Sequence, residues 1–191
     1  MESGIDILMA LALGVALAAA AGLRVFVPLL VLSLAMHFGK VQPAHSFEWL
    51  GTLPAVIAFA VAAAVEVAAY YLPGLDHLLD LVMTPLALVA GVVLMVVPLG
   101  DLPPLLRWSV ALIAGGGAAG LTQVASTVAR AKTAATTGGL GNPLVATGEL
   151  GGSVVISIAA LLFPVLALVM AVLMLWAVFA IRRKWKTRGP G

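Results

Sequence analysis

The sequence contains no cysteine. That excludes disulfides, thiol nucleophiles and thiolate metal sites, and it leaves the redox compartment open. Charge is nearly as scarce. Only 9% of the 191 residues are Asp, Glu, Lys or Arg, against about a quarter in a soluble domain, so a water-soluble globular fold is excluded. The strict polar–apolar alternation of a transmembrane β-barrel is missing as well; the apolar runs are continuous and rich in alanine and leucine. A signal peptide's basic start is also lacking. The chain opens MESGID, and although Ala18 to Ala21 imitate a cleavage site, residues 1–21 are expected to stay as a helix.

What is present is oil. Hydrophobic residues make up 63% of the chain, and several runs approach or exceed the roughly 20 residues needed to cross a hydrocarbon core. The expectation is an all-α, polytopic transmembrane bundle of about six spanning helices with broken or re-entrant segments. One membrane domain covers residues 1–181, and a basic tail covers 182–191. Two breaks near opposite ends permit an inverted repeat of 5–98 against 105–181.

The first apolar stretch, 5–38, is interrupted by Gly22-Leu23-Arg24. At about 34 residues it is too long for one crossing. It forms either a tight helical hairpin or a re-entrant pair whose irregular backbone must be buried in protein. Helices follow over 52–71, carrying Glu66, and from Asp76 to about 97, with Asp76 at the first turn and Pro85 inside. Another spans 105–129, where Gly116 and Gly120 form a small-xxx-small pair for helix packing or a homodimer. The last apolar run, 144–181, reads as a short half-helix and then a long kinked span from about Ser153. Arg182, Arg183, Lys184, Lys186 and Arg188 orient the tail to the cytoplasm, with Trp49 and Trp108 on that side and Tyr70 and Tyr71 opposite.

Between the last two spans lies a polar, glycine-rich interval from Arg130 to Pro143. Its Thr136, Thr137, Gly138, Gly139 and Asn142 offer hydroxyls, backbone groups and an amide, as the break in a transporter helix does. Ionised side chains at bilayer depth are costly and face a bundle interior or a wet cavity. Arg24, Glu66, Asp76, Lys132 and Glu149 are such charges, and they are expected to converge on this interval. Arg24 and Lys132 favour an anion; Glu66 and Glu149 favour a cation or an exchanged proton. Snorkelling by the basic residues and a structural Glu66–Arg24 pair remain alternatives. The glycine run lacks a phosphate-loop ending, and Asp76, His77 and Asp80 read as a cap and surface positions rather than a metal site.

The ordered set Gly22-Leu23-Arg24, Glu66, Pro73-Gly74-x-Asp76, Pro85, Lys132, Thr136-Thr137-Gly138-Gly139-x-Gly141-Asn142-Pro143 and Glu149 resembles the DUF4126 family of small bacterial integral membrane proteins. The resemblance spans nearly the whole chain. It implies a multi-pass protein of the bacterial inner membrane and places the polar interval in the membrane domain, but it supplies no substrate.

A transporter or channel for a small ion or polar solute is the leading expectation. A lipid-headgroup scramblase or flippase and a structural or assembly protein are the alternatives. No enzyme is expected, because serine and histidine are not paired as nucleophile and base. No cofactor and no nucleic-acid partner are implied. Membrane lipids and the solute are the expected partners.

Overall fold

The computed structural model describes residues 4–43, 45–71, 76–100, 102–173 and 176. Among these the chain is helical, with no strand. In order, the helices are α1 Gly4–Ala21, α2 Phe26–His37, α3 Leu53–Tyr70, α4 Asp76–Val96, α5 Pro104–Val110, α6 Gly117–Thr137 and α7 Asn142–Leu162. A shorter apolar helix, α8, covers Pro164–Leu173. A 3₁₀ turn at His45–Gly51 precedes α3, and a π-helical turn at Ala111–Gly116 joins α5 to α6. The basic tail and the Pro73-Gly74 turn lie outside the described residues.

Five helices are long and apolar enough to cross a bilayer: α1, α3, α4, the continuous α5–α6 rod Pro104–Thr137, and α7. The 34-residue rod is about 51 Å long, more than a hydrocarbon core of about 30 Å. One end must therefore protrude, and its polar end, from Lys132 onward, is the natural candidate. Leu53, Ile57, Val61 and Val65 recur every four residues on α3 and are all exposed, which in a bilayer is a face for lipid.

Residues 5–38 form a hairpin. Gly14 of α1 packs on Met95 at the C-terminal end of α4, and α2 ends where His37 Nδ1 lies 2.9 Å from the Gly51 carbonyl oxygen. Phe47 and Trp108 meet at that same end of the bundle, their rings 6.4 Å apart. The hairpin tip, Gly22–Val25, points the other way, into the protein. Small side chains make this burial feasible: Ala16 to Ala21 are all within 1% of complete burial, so neighbouring helices approach α1 from every side. Gly22 has no room for a side chain, since a Cβ there would collide with Thr122 and the Gln123 backbone on α6.

Two expectations need correction. The last apolar run does not break at Gly148–Gly152; α7 runs unbroken through it, and the break falls at Phe163, just before Pro164, where φ is −142° and ψ is 74°. Proline cannot continue the hydrogen-bond ladder and restricts its predecessor, so it sets the boundary that glycine alone does not. The interval Arg130–Pro143 is likewise no half-helix break. It is the last two turns of α6, a short turn, and the start of α7. The two halves also open differently among the described residues, the first with a bent hairpin and the second with one long rod.

A close crossing of α4 on the α5–α6 rod uses Gly91 and Gly115. A Cβ on Gly91 would stand 2.6 Å from the Gly115 carbonyl oxygen and 2.6 Å from the Ala119 Cβ, so the backbones touch there. Gly116 and Gly120 face Val92 and Leu88 of α4 more loosely. Replacing Gly91 with alanine should destabilise the detergent-solubilised protein by about 1–3 kcal/mol through overpacking. Gly148→Ala, whose Cβ meets nothing within 4 Å, should leave the thermal midpoint unchanged or slightly raised.

Candidate functional site: a buried charge network at the hairpin tip

The tip delivers Arg24 to the centre of the bundle, where it is 1% exposed. Its Nη2 lies 3.3 Å from Glu149 Oε2 and donates to the Ala146 carbonyl oxygen at 3.0 Å, both on α7. Arg130 of α6, 2% exposed, reaches the same carboxylate: Nη1 donates to Glu149 Oε2 at 2.7 Å. Its Nη2 donates to Asp80 Oδ1 of α4 at 2.6 Å. The other Glu149 oxygen accepts the Ser126 hydroxyl. Tyr70 of α3 lies against both cations, with its ring centre 4.0 Å from the Arg24 guanidinium carbon and 4.5 Å from that of Arg130. The Tyr70 hydroxyl donates to Asp80 Oδ1 at 3.2 Å.

Glu66 completes the tip in another way. Oε1 accepts the Val25 amide at 2.8 Å and Oε2 accepts the Phe26 amide at 3.0 Å. These are orphan donors at the start of α2, and no local side chain caps them. A carboxylate on α3 thus acts as the missing cap and meets the positive end of the α2 dipole. The alternative of a Glu66–Arg24 pair gives way to this backbone contact. Five ionisable side chains, Arg24, Glu66, Asp80, Arg130 and Glu149, are drawn in from five helical segments.

The helical pitch explains how α6 and α7 contribute. Thr122, Ser126 and Arg130 recur every four residues on one face of α6, and Glu149, Ser153 and Ser157 do so on α7; all six are buried. Ser153 Oγ donates to the Ala20 carbonyl oxygen at 3.1 Å, which anchors α7 to the end of α1.

Of the residues singled out from sequence, Arg24, Glu66 and Glu149 come together. Lys132, Thr136, Thr137 and Gly138 are exposed at the far end of α6, and Gly139 is half-exposed in the turn. That turn satisfies itself. Thr136 donates to the Lys132 carbonyl oxygen at 3.0 Å, while Thr137 donates to that of Thr133 at 2.7 Å and accepts the Gly141 amide at 2.9 Å. Gly138 and Gly139, with φ of 62° and 89°, provide the left-handed backbone that ends α6. Asn142 is buried at the first turn of α7, about 10 Å along the axis from Glu149. Asp76 opens α4, and its side chain lies outside the described residues. Among the described residues no group of three or more carboxylate or histidine side chains is disposed to hold a metal.

Asp80, Arg130, Tyr70 and Ser126 are not among the site residues expected from the sequence. The four-residue spacing Thr122–Ser126–Arg130 inside an apolar run was the available signal for two of them.

The pairing leaves several buried polar atoms over. Among the described residues Arg24 Nε and Nη1, Arg130 Nε and Gln123 Nε2 are buried without a hydrogen-bond partner. These four are donors; Thr127 Oγ1 and Ser157 Oγ, hydroxyls able to donate or accept, are unpartnered among the described residues as well. A low-dielectric interior makes unpaired donors expensive, so this is a place that favours an acceptor, and in particular an anion.

A bundle of apolar spans closed around a buried ionic network defines the class: a multi-pass helical membrane protein. The family described as Domain of unknown function (DUF4126) matches residues 11–184, and the chain belongs to it. No curated protein and no solved structure matches the chain.

Two substitutions test the network. Glu149→Leu leaves the buried Arg24 guanidinium without its carboxylate and Arg130 with Asp80 alone among the described residues, and should lower unfolding free energy by about 3–5 kcal/mol. Glu149→Gln, which keeps a hydrogen-bonding group there, should lose less. Glu66→Gln can accept only through its one oxygen, so faster hydrogen exchange at the Val25 or Phe26 amide is expected, with a loss of about 1 kcal/mol.

Proposed function

We propose that this protein is a small transporter of the bacterial inner membrane, carrying a small ion or polar solute through a charged site at the hairpin tip. The observation that carries this reading is Arg24. A guanidinium at 1% exposure, at the bend of a helical hairpin, keeps two nitrogens unpartnered among the described residues. A purely structural arginine at this depth would be expected to have its donors satisfied. The bent hairpin supports the same reading, because irregular backbone at membrane depth is tolerated where protein or a wet cavity surrounds it.

The site draws on every helix that would have to move for access to alternate. The hairpin brings Arg24, α3 brings Glu66 and Tyr70, α4 brings Asp80, and α6 and α7 bring Arg130 and Glu149. Opening toward either face requires separating at least one of these pairs, so the network serves as the closed state of a gate. Occupancy by a solute would repay the separated charges. A structural clamp is the second reading, favoured by the mutual pairing of Arg130, Asp80 and Glu149.

Proteoliposomes separate the two. Radiolabelled uptake of a panel spanning sodium, potassium, nitrate, phosphate and small carboxylates should reveal at least one solute carried by the protein. Arg24→Ala should abolish that uptake while the protein remains in the membrane. The clamp reading prevails if no solute is carried and Arg24→Leu combined with Glu149→Leu unfolds at the same temperature as the parent.

A further inference from the structure

Glu149 occupies the position in which a transported anion would be held. One of its oxygens meets both Arg24 and Arg130, at 3.3 and 2.7 Å, and the other takes the Ser126 hydroxyl. Two guanidiniums and a hydroxyl converging on one carboxylate form an oxyanion site whose present occupant belongs to the chain. From this we infer that the substrate is a small monovalent oxyanion, a monocarboxylate or its planar equivalent, which replaces Glu149 between the arginines while Glu149 takes up a proton. The inference rests on the transporter reading and adds the substrate class and the coupling.

Charge balance dictates the coupling. The network holds Arg24 and Arg130 against Glu149 and Asp80, with Glu66 set against the N-terminus of α2. Three carboxylates already face two guanidiniums and one helix N-terminus, so adding an anion without a proton would raise the negative charge at bilayer depth by one, an excess that is strongly disfavoured. A proton on the Glu149 carboxyl cancels that excess. The neutral acid no longer competes as an anion for the guanidiniums and can swing aside, and the solute's oxygens take over the Arg24, Arg130 and Ser126 contacts. On release the proton leaves Glu149, whose carboxylate returns to the arginines. One proton moves with one monovalent anion, and no net charge crosses the membrane.

The groups around Glu149 fit that exchange. Arg24 faces it from the hairpin, and Arg130 and Ser126 from α6. Beyond Arg130 stand Asp80 of α4, 2.6 Å from its guanidinium, and Tyr70 of α3. Glu66, also on α3, is committed to the Val25 and Phe26 amides. Among the described residues Glu149 is therefore the one carboxylate bonded to both guanidiniums, whereas Asp80 holds Arg130 alone of the two. The unpartnered Nε and Nη1 of Arg24 supply further donors for an incoming anion, which Glu149, fixed to α7, leaves unused.

Pyruvate is a suitable probe because it stays ionised at mildly acidic pH. Proteoliposomes loaded with a pH-sensitive dye should take up radiolabelled pyruvate faster when the outside is acidic, and the lumen should acidify in step. Nitrate should compete and chloride should compete poorly. Clamping the membrane potential with valinomycin and potassium should leave the rate unchanged. Glu149→Gln should lose the dependence of pyruvate uptake on the pH gradient. Ser126→Ala, which removes a single hydroxyl and leaves every ion pair in place, should raise the half-saturating pyruvate concentration about fivefold. Its pH profile should keep the parent's shape.

Uptake that responds to membrane potential, or that is indifferent to Ser126→Ala, overturns the inference. So does Arg24-dependent uptake of a cation with none of pyruvate or nitrate, although the transporter reading then stands. If nothing in the wider panel is carried, both fall.

Discussion

The rest of the structure depends on holding two guanidiniums inside an apolar bundle. Arg24 and Arg130 share one oxygen of Glu149 and one face-rich ring, Tyr70. In a low-dielectric medium like charges this close repel strongly unless a carboxylate stands between them. Glu149 provides that charge, Asp80 neutralises the outer side of Arg130, and the aromatic ring adds a quadrupole attraction to both cations. Five helical segments are thereby tied at one level. A network of this kind is weak evidence for stability as such, since apolar residues of similar volume often do as well.

Geometry around the network follows from simple local rules. Alanine along α1 lets that helix pass through the bundle, and Gly22 lets its end press against α6. The bend exposes the first amides of α2, and Glu66 of α3 covers them. The tip is therefore fixed by a carboxylate rather than by apolar contact alone. That makes the bend sensitive to anything that changes the charge or position of Glu66, and Arg24 sits directly before the capped residues.

Much of this was legible in the sequence, and the reasons are physical. Apolar run length and scarcity of charge are enough to define a helical membrane bundle. Charges inside those runs mark Arg24, Glu66 and Glu149, because each must face protein. Pairing was not legible. Which carboxylate meets which arginine depends on helix rotation and depth, and Asp80 reads from sequence as a surface partner of the α4 start. Arg130 reads from sequence as the start of a polar break because threonines and glycines follow it. Yet Ala131–Thr137 continues the helix. The threonines serve local carbonyls there, as hydroxyls near a helix end commonly do. The polar interval was conspicuous because it ends a helix, whereas the site was assembled from isolated residues separated by apolar ones.

The absence of cysteine makes a direct test available. Ser126→Cys places the chain's one thiol beside Glu149, and an anionic methanethiosulfonate reagent reports whether solutes reach it. Labelling in intact membranes, slowed by pyruvate, is the predicted result. A thiol that remains inert from both faces of the membrane, yet reacts after denaturation, would contradict the central claim that the network is a solute site.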